Sequence, residues 1–262
     1  MRKIKLTIEY DGTAYSGWQS QINGVAVQDV ITQALQKMTE EKSSILGASR
    51  TDAGVHALGQ VAFFKTQTDI PCDRFLKGVN SLLPEDIRVL SVEEVSQDFH
   101  PVLNAKKKLY RYSILNVPIA SALLRNRCWH VPNLLDLEKM RKGAKCFLGR
   151  HDFKSFQGAG SSIQTTEREI YRLDILSSCL SSPKALIGDP LIVDSCGNDI
   201  LFEIEGNGFL KHMVRNIVGT LVEVGLGKRD PKSIPALIQE KDRSKAGPTA
   251  PPQGLFLVKV DY

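Results

Sequence analysis

The chain has 262 residues, 42% of them apolar and 24% charged, and a formal net charge of +5 at neutral pH. That length buries a full core as one large domain or two modest ones, and the ordinary composition excludes a disordered or collagenous chain. The mild positive balance suits a polyanionic partner without demanding one, and no run approaches the roughly 20 apolar residues needed to cross a bilayer.

The N-terminal run Met1-Arg2-Lys3-Ile4-Lys5-Leu6-Thr7-Ile8-Glu9-Tyr10 alternates charged and apolar groups, unlike the apolar core of a secretion signal. Ile4, Leu6, Ile8 and Tyr10 share one face of a predicted strand, which Asp11-Gly12-Thr13 ends in a turn. Val27, Val30, Ile31, Ala34, Leu35 and Met38 recur at helical spacing and predict an amphipathic helix over 26–39. Strands are expected near 44–48 and 60–65. A second helix runs through Phe75, Val79, Leu82 and Leu83 until Pro84 stops it, and a strand follows over 87–95. The order strand, helix, strand, strand, helix, strand suggests a ferredoxin-like α+β unit.

The order then partly repeats. A strand is predicted over 109–115, a helix through Leu137, Met140, Ala144, Phe147 and Leu148 ending at Gly149, and strands over 170–176 and 200–205. The strongest helical pattern follows, in Leu210, Met213, Val214, Ile217, Val218, Leu221 and Val222, before a last strand over 255–260. The Gly- and Ser-rich stretch 157–166 and residues 180–190 read as mobile loops, and the Pro-rich stretch 246–254 as rigid non-helical connection. The division expected is 1–105 and 106–262, two halves related by element order. Five dispersed cysteines (Cys72, Cys128, Cys146, Cys179 and Cys196) form no Cys-x-x-Cys pair and read as reduced thiols, so a cytoplasmic protein is expected.

The chemistry-bearing stretch is Ser49-Arg50-Thr51-Asp52-Ala53-Gly54-Val55-His56-Ala57, set between the apolar runs Ile45–Ala48 and Val61–Phe64 and so predicted to project as a loop from a sheet edge. Asp52 lies two residues from Arg50, whose charge favours an ionised carboxylate and can orient it, while Gly54 lets the backbone turn. The same residues also fit a plain turn, with Thr51 or Asp52 as cap and Arg50 as counter-charge. In Lys106-Lys107-Lys108-Leu109-Tyr110-Arg111-Tyr112 a strand would put Lys108, Tyr110 and Tyr112 on one face. An aromatic ring beside cations suits a nucleobase and its phosphates, and half-buried packing is the alternative. Lys211 and Arg215, four apart on the predicted helix, suit phosphate contact or salt bridging equally. His56 and His212 invite a role as bases, but a lone histidine is more often structural.

Arg50-Thr51-Asp52-Ala53-Gly54-Val55-His56-Ala57 with Gly59-Gln60-Val61 resembles the signature of the tRNA pseudouridine synthase A (TruA) family. Further similar pieces span the chain: Tyr10-Asp11-Gly12-Thr13, Gly17-Trp18-Gln19, Asn80-Ser81-Leu82-Leu83-Pro84, His151-Asp152-Phe153-Lys154-Ser155-Phe156, Gly206-Asn207-Gly208-Phe209-Leu210-Lys211-His212-Met213-Val214-Arg215-Asn216 and Gly247-Pro248. Ser49 stands where the family usually has glycine, and Pro101-Val102-Leu103 where it usually has Ala-Arg-Phe. The resemblance implies the pseudouridine synthase fold: α+β, two ferredoxin-like halves forming a mixed, largely antiparallel sheet, with helices on one side and an active-site cleft on the other. It implies Asp52 as nucleophile, adding at the sugar or at the ring. Arg50 and Arg215 would be its polarising partners, Tyr110 would lie against the base, and Lys211 would contact the substrate. It implies tRNA as partner, uridines 38 to 40 of the anticodon stem-loop as targets, a homodimer, and no cofactor, because the reaction exchanges no electrons or groups. Two rivals share part of the pattern. A non-catalytic RNA-binding protein would be indifferent to Asp52, and a glycosidase-type hydrolase would need a second carboxylate that the motif does not offer.

Overall fold

Alternation along the first residues is realised as strand β1 (Arg2–Tyr10), which buries Ile4, Leu6, Ile8 and Tyr10. The computed structural model describes residues 1–160, 163, 165–177 and 199–262; the loop expected at 180–190, part of that at 157–166, Cys179 and Cys196 lie outside them. Asp11 ends β1 by accepting the Thr13 amide and capping a short 3-10 turn. Helix α1 (Val27–Thr39) buries Val27, Ile31, Ala34 and Leu35, the stripe its periodicity predicts. Strands β2 (Leu46–Gly47) and β3 (His56–Thr66) follow, then α2 (Cys72–Leu82) and β4 (Ile87–Val95).

Residues Met1–Lys108 with Phe256–Tyr262 form one compact unit and Leu109–Leu255 another. In the first, β4, β1 and β3 pair antiparallel in that order, giving the ferredoxin-like pattern expected. α2 rests on this sheet through Phe75, whose ring centroid is 5.6 Å from that of Phe64. The outer side of β3 is divided between two partners. β2 pairs antiparallel with its far half, Leu46 opposite Phe63 and Gly47 opposite Ala62, while β10 (Leu255–Asp261) pairs parallel with its first residues, Phe256 opposite His56 and Leu257 opposite Ala57. The motif loop therefore arises beside an interior strand, not at a sheet edge.

The second unit orders β5 (Lys107–Leu115, from Leu109 onward), β9 (Asp199–Gly206), β8 (Glu167–Ser177) and β7 (Gly149–Asp152), with β6 (Trp129–His130) parallel to β5. Its helices are α3 (Leu137–Ala144), α4 (Met213–Gly225) and α5 (Ile234–Glu240). α3 packs on α4 where Gly225 faces Met140; a Cβ at Gly225 would lie 2.5 Å from the Met140 sulfur. Of the 13 residues of α4 only Arg215 and Glu223 are not buried. Ten strands, mostly antiparallel, and five α-helices among the described residues make the class α+β. Among them no helix is long and apolar enough to cross a membrane.

The pattern beginning at Leu210 predicts a helix that already contains Lys211, but α4 starts at Met213. His212 occupies the N-cap in the left-handed region, with φ 60°. The carbonyl of Lys211 is directed at Gly158 N–H, 2.8 Å away, and the helical ladder opens one residue later, with Asn216 N–H donating to His212 O at 2.9 Å. Lys211 and Arg215 are thus not neighbours on one helical face.

Candidate active site

The divided edge of β3 places Asp52. Because β10 occupies His56 and Ala57, the chain arriving from β2 has no ladder left to continue and departs as residues 48–55. These residues are neither helix nor strand, yet they are anchored one after another. Ala48 N–H donates to Val61 O at 2.7 Å, and Lys108 Nζ donates to Ala48 O at 2.6 Å. The Gln60 side chain bonds both peptide groups of Ser49. Thr51 is buried, its Oγ1 lying 2.7 Å from the Tyr10 hydroxyl and its carbonyl accepting Trp18 N–H at 3.1 Å. A turn does follow, at 53–54, but the Thr51 hydroxyl is engaged with Tyr10 and does not cap it.

Asp52 opens a turn closed by Val55 N–H donating to its carbonyl at 3.1 Å. Gly54 holds the left-handed position of that turn with φ 75°, and its N–H donates to Tyr15 O at 3.3 Å. The Asp52 side chain is half-buried and Arg50 is exposed. Residues 15–18 come so close that a Cβ at Gly17, itself at φ 98°, would lie 2.6 Å from Thr51 O. Ser49 is not among the residues with positive φ, so the glycine usual in the family is not needed there for its backbone angle.

His56 opens β3 buried and stacked on Phe256, ring centroids 4.6 Å apart. Its Nδ1 accepts Gly12 N–H at 3.0 Å and lies 3.2 Å from Asp11 Oδ1. One nitrogen cannot do both at once: a bare Nδ1 accepts from Gly12, whereas an Nδ1 that carries hydrogen donates to Asp11. The hydrogen bond with His56 is the largest influence on the Asp11 carboxyl; with those from Thr13 it outweighs burial and holds the group well below the usual carboxylate range. In this setting His56 braces the Asp11 turn against β3.

In the second unit Tyr110 is buried in β5, with Phe209 edge-on at 5.2 Å, so the structure brings it together with the Gly206-to-Asn216 motif. Tyr112 packs: it is fully buried, its hydroxyl donates to Pro251 O at 2.8 Å, and a Cβ at Gly254 would lie 2.7 Å from its ring. Burial raises its phenol pKa while the Arg215 charge acts the other way. Arg111 pairs with Glu203 at 2.7 Å.

Arg215 lies in the first turn of α4, where its Nε donates to Ala250 O at 2.7 Å and its carbonyl accepts Ala250 N–H at 3.1 Å. The segment around Ala250 is itself fixed. Arg243 donates to Gly247 O, Asn216 Oδ1 and Thr249 Oγ1, each at 3.0 Å. Lys211 is exposed, with Nζ donating to Ala159 O at 3.0 Å. Asp52 and Arg50 belong to the first unit, and Tyr110, Lys211 and Arg215 to the second.

The sequence reading missed the anchors, namely Tyr10, Trp18 and Gln60 around Asp52 and Arg243 with Thr249 behind Arg215. One signal was available: Gln60 is a polar residue at the head of the apolar run Val61-Ala62-Phe63-Phe64. The three described cysteines are free thiols, and among the described residues no group of three or more His, Cys, Asp or Glu could hold a metal ion.

Residues 6–102 and 144–262 match a family model described as tRNA pseudouridine synthase. The chain is also 48% identical to the tRNA pseudouridine synthase A of Ruminiclostridium cellulolyticum, 49% to that of Acetivibrio thermocellus and 47% to that of Geotalea daltonii. Each match covers 262 residues and the whole of both chains.

Proposed function

Because the chain belongs to the tRNA pseudouridine synthase family, and is thus an isomerase that makes pseudouridine in tRNA, we propose that its targets are uridines 38, 39 and 40 of the anticodon stem-loop and its nucleophile is Asp52. The reaction breaks the bond from ribose C1′ to uracil N1 and joins C1′ to C5. The C5 hydrogen leaves to solvent and N1 takes up a proton, so the product is an isomer of the substrate. The carboxylate of Asp52 supplies the nucleophile that carries the substrate between the two bonds. The observation that supports this reading is the fixing of the Asp52 turn by bonds to Thr51, Gly54 and Ser49, because a reacting carboxylate gains most from a rigid support.

The other roles follow from the motif and from exposure. Arg50 offers its guanidinium beside Asp52 and to an approaching phosphate, and Lys211 adds a second cationic contact. Tyr110 lies against the uracil, and Arg215, its Nε fixed on Ala250, offers its guanidinium to the substrate. Reaching C5 requires the nucleotide to leave its stack, which costs a few kcal/mol that the contacts to the extruded nucleotide offset. The enzyme works as a cytoplasmic homodimer with tRNA lying across both copies; a single-subunit mass in solution would refute the dimer.

The test uses unmodified tRNA tritiated at uracil C5, scored for tritium release by position. The unchanged protein releases tritium from positions 38 to 40. Asp52→Asn, which keeps shape and removes charge, loses turnover by on the order of 10^4-fold while tRNA binding persists. Turnover by that variant at the unchanged rate refutes the nucleophile, release from other positions refutes the target, and free uracil indicates a hydrolase.

A further inference from the structure

The ladder between β2 and β3 ends in an unusual way. Leu46 lies opposite Phe63 and Gly47 opposite Ala62, and Ala48 N–H still donates to Val61 O at 2.7 Å. The next position in this register sets Ser49 against Gln60. There the Gln60 side chain acts as a strand partner, its Oε1 accepting Ser49 N–H at 3.2 Å and its Nε2 donating to Ser49 O at 2.7 Å. A primary amide carries the same donor and acceptor as a peptide group, so it can pair with a peptide in both directions.

Two features make this substitution matter. Gln60 is fully buried, at 0% exposure, so losing either bond strands a peptide group away from water. And β10 holds the first residues of β3, so the departing chain has no backbone partner to set its direction. The amide fixes Ser49 at the point of departure, three residues before Asp52. Thr51 is then held from the other side by Tyr10 and Trp18.

We infer that Gln60 is a positioning residue for the reaction, acting through the Ser49 peptide groups to aim Asp52. The inference rests on the assignment of Asp52 as nucleophile. Gln60 touches no reacting atom; its loss misdirects the carboxylate without weakening tRNA binding. A displacement near 1 Å at a reacting group is enough to cost about 10²-fold in rate.

The experiment compares Gln60→Met, Gln60→Glu, Asp52→Asn and the unchanged chain in single-turnover tritium release from tRNA, with tRNA Kd measured alongside. Gln60→Met fills the same space with no hydrogen bond, and its rate is expected to fall about 10- to 100-fold with Kd within about twofold. In Gln60→Glu the neutral carboxyl restores both bonds, its carbonyl accepting and its O–H donating, while the ionised form loses the donor and sets a charge against Ser49 O. Burial raises the pKa of that carboxyl, so the rate of this variant should fall, relative to the unchanged chain, as pH rises between about 6 and 9. Gln60→Met at a rate within twofold of the unchanged chain overturns the inference. So does a Gln60→Glu profile that follows the unchanged chain at every pH, and this arm decides the matter if Gln60→Met does not fold. Persistent turnover by Asp52→Asn instead overturns the nucleophile assignment, whatever the Gln60 variants do.

Discussion

The chain around Asp52 and the chain around Arg215 are held by opposite means. Residues 48–55 have no regular structure of their own and are fixed by single hydrogen bonds from Gln60, Tyr10, Trp18 and Lys108. Arg215 lies in the first turn of a helix that is buried almost all round, and the segment after Ala246 is pressed onto that helix at glycines. A region held by directed bonds should tolerate a change of volume better than the loss of a donor. A region held by close packing should tolerate the reverse.

The largest expected effect tests the packed side. A Cβ at Gly219 would lie 1.8 Å from the Pro248 carbonyl oxygen and 2.9 Å from its carbon, and both are backbone atoms that cannot swing aside. Gly219→Ala is therefore expected to destabilise the protein by about 3 kcal/mol, at the upper end for overpacking, lowering the melting temperature by roughly 6–12 °C. A melting curve unchanged by that one methyl would remove the packing half of the contrast.

A smaller effect tests the bonded side. Tyr10→Phe deletes a hydroxyl from a buried site and leaves the ring in place, so Thr51 Oγ1 loses its partner at 2.7 Å. The expected cost is about 1–2 kcal/mol in denaturant unfolding, with turnover lowered more than tRNA affinity because Thr51 adjoins Asp52. Equal loss of turnover and affinity would place Tyr10 in general stability, not in the support of the loop.

What could be read from the sequence follows the same division. β1, α1, α2 and β4 were legible because each repeats one local period long enough to fix its type. β6 and β7 are two and four residues long and α5 is seven, too short to show a period. The start of α4 was misread because Leu210 keeps the apolar spacing across the left-handed N-cap at His212, while the partner of the Lys211 carbonyl is Gly158, far away in sequence. The loop of Asp52 was legible from its Gly, Asp and Arg content, but its anchors were not. Tyr10 reads as one more buried residue of β1, and Gln60 as a polar residue in an apolar strand, until the pairing of β10 explains why both are needed.

The smallest effect, opposite in sign, comes from Ser49. Its peptide groups are bonded by Gln60, but its hydroxyl is buried without a hydrogen-bond partner. Such a group has given up water and gained nothing in return, and its desolvation is a standing cost. Ser49→Ala removes the oxygen and leaves both peptide bonds to Gln60, so it should raise stability by about 1 kcal/mol with turnover unchanged. Ser49→Gly, the residue usual in the family, should gain less, because glycine loses more conformational freedom on folding. If Ser49→Ala is instead less stable and slower, the hydroxyl takes part in holding the loop, and the support of Asp52 extends beyond the two peptide bonds at Gln60.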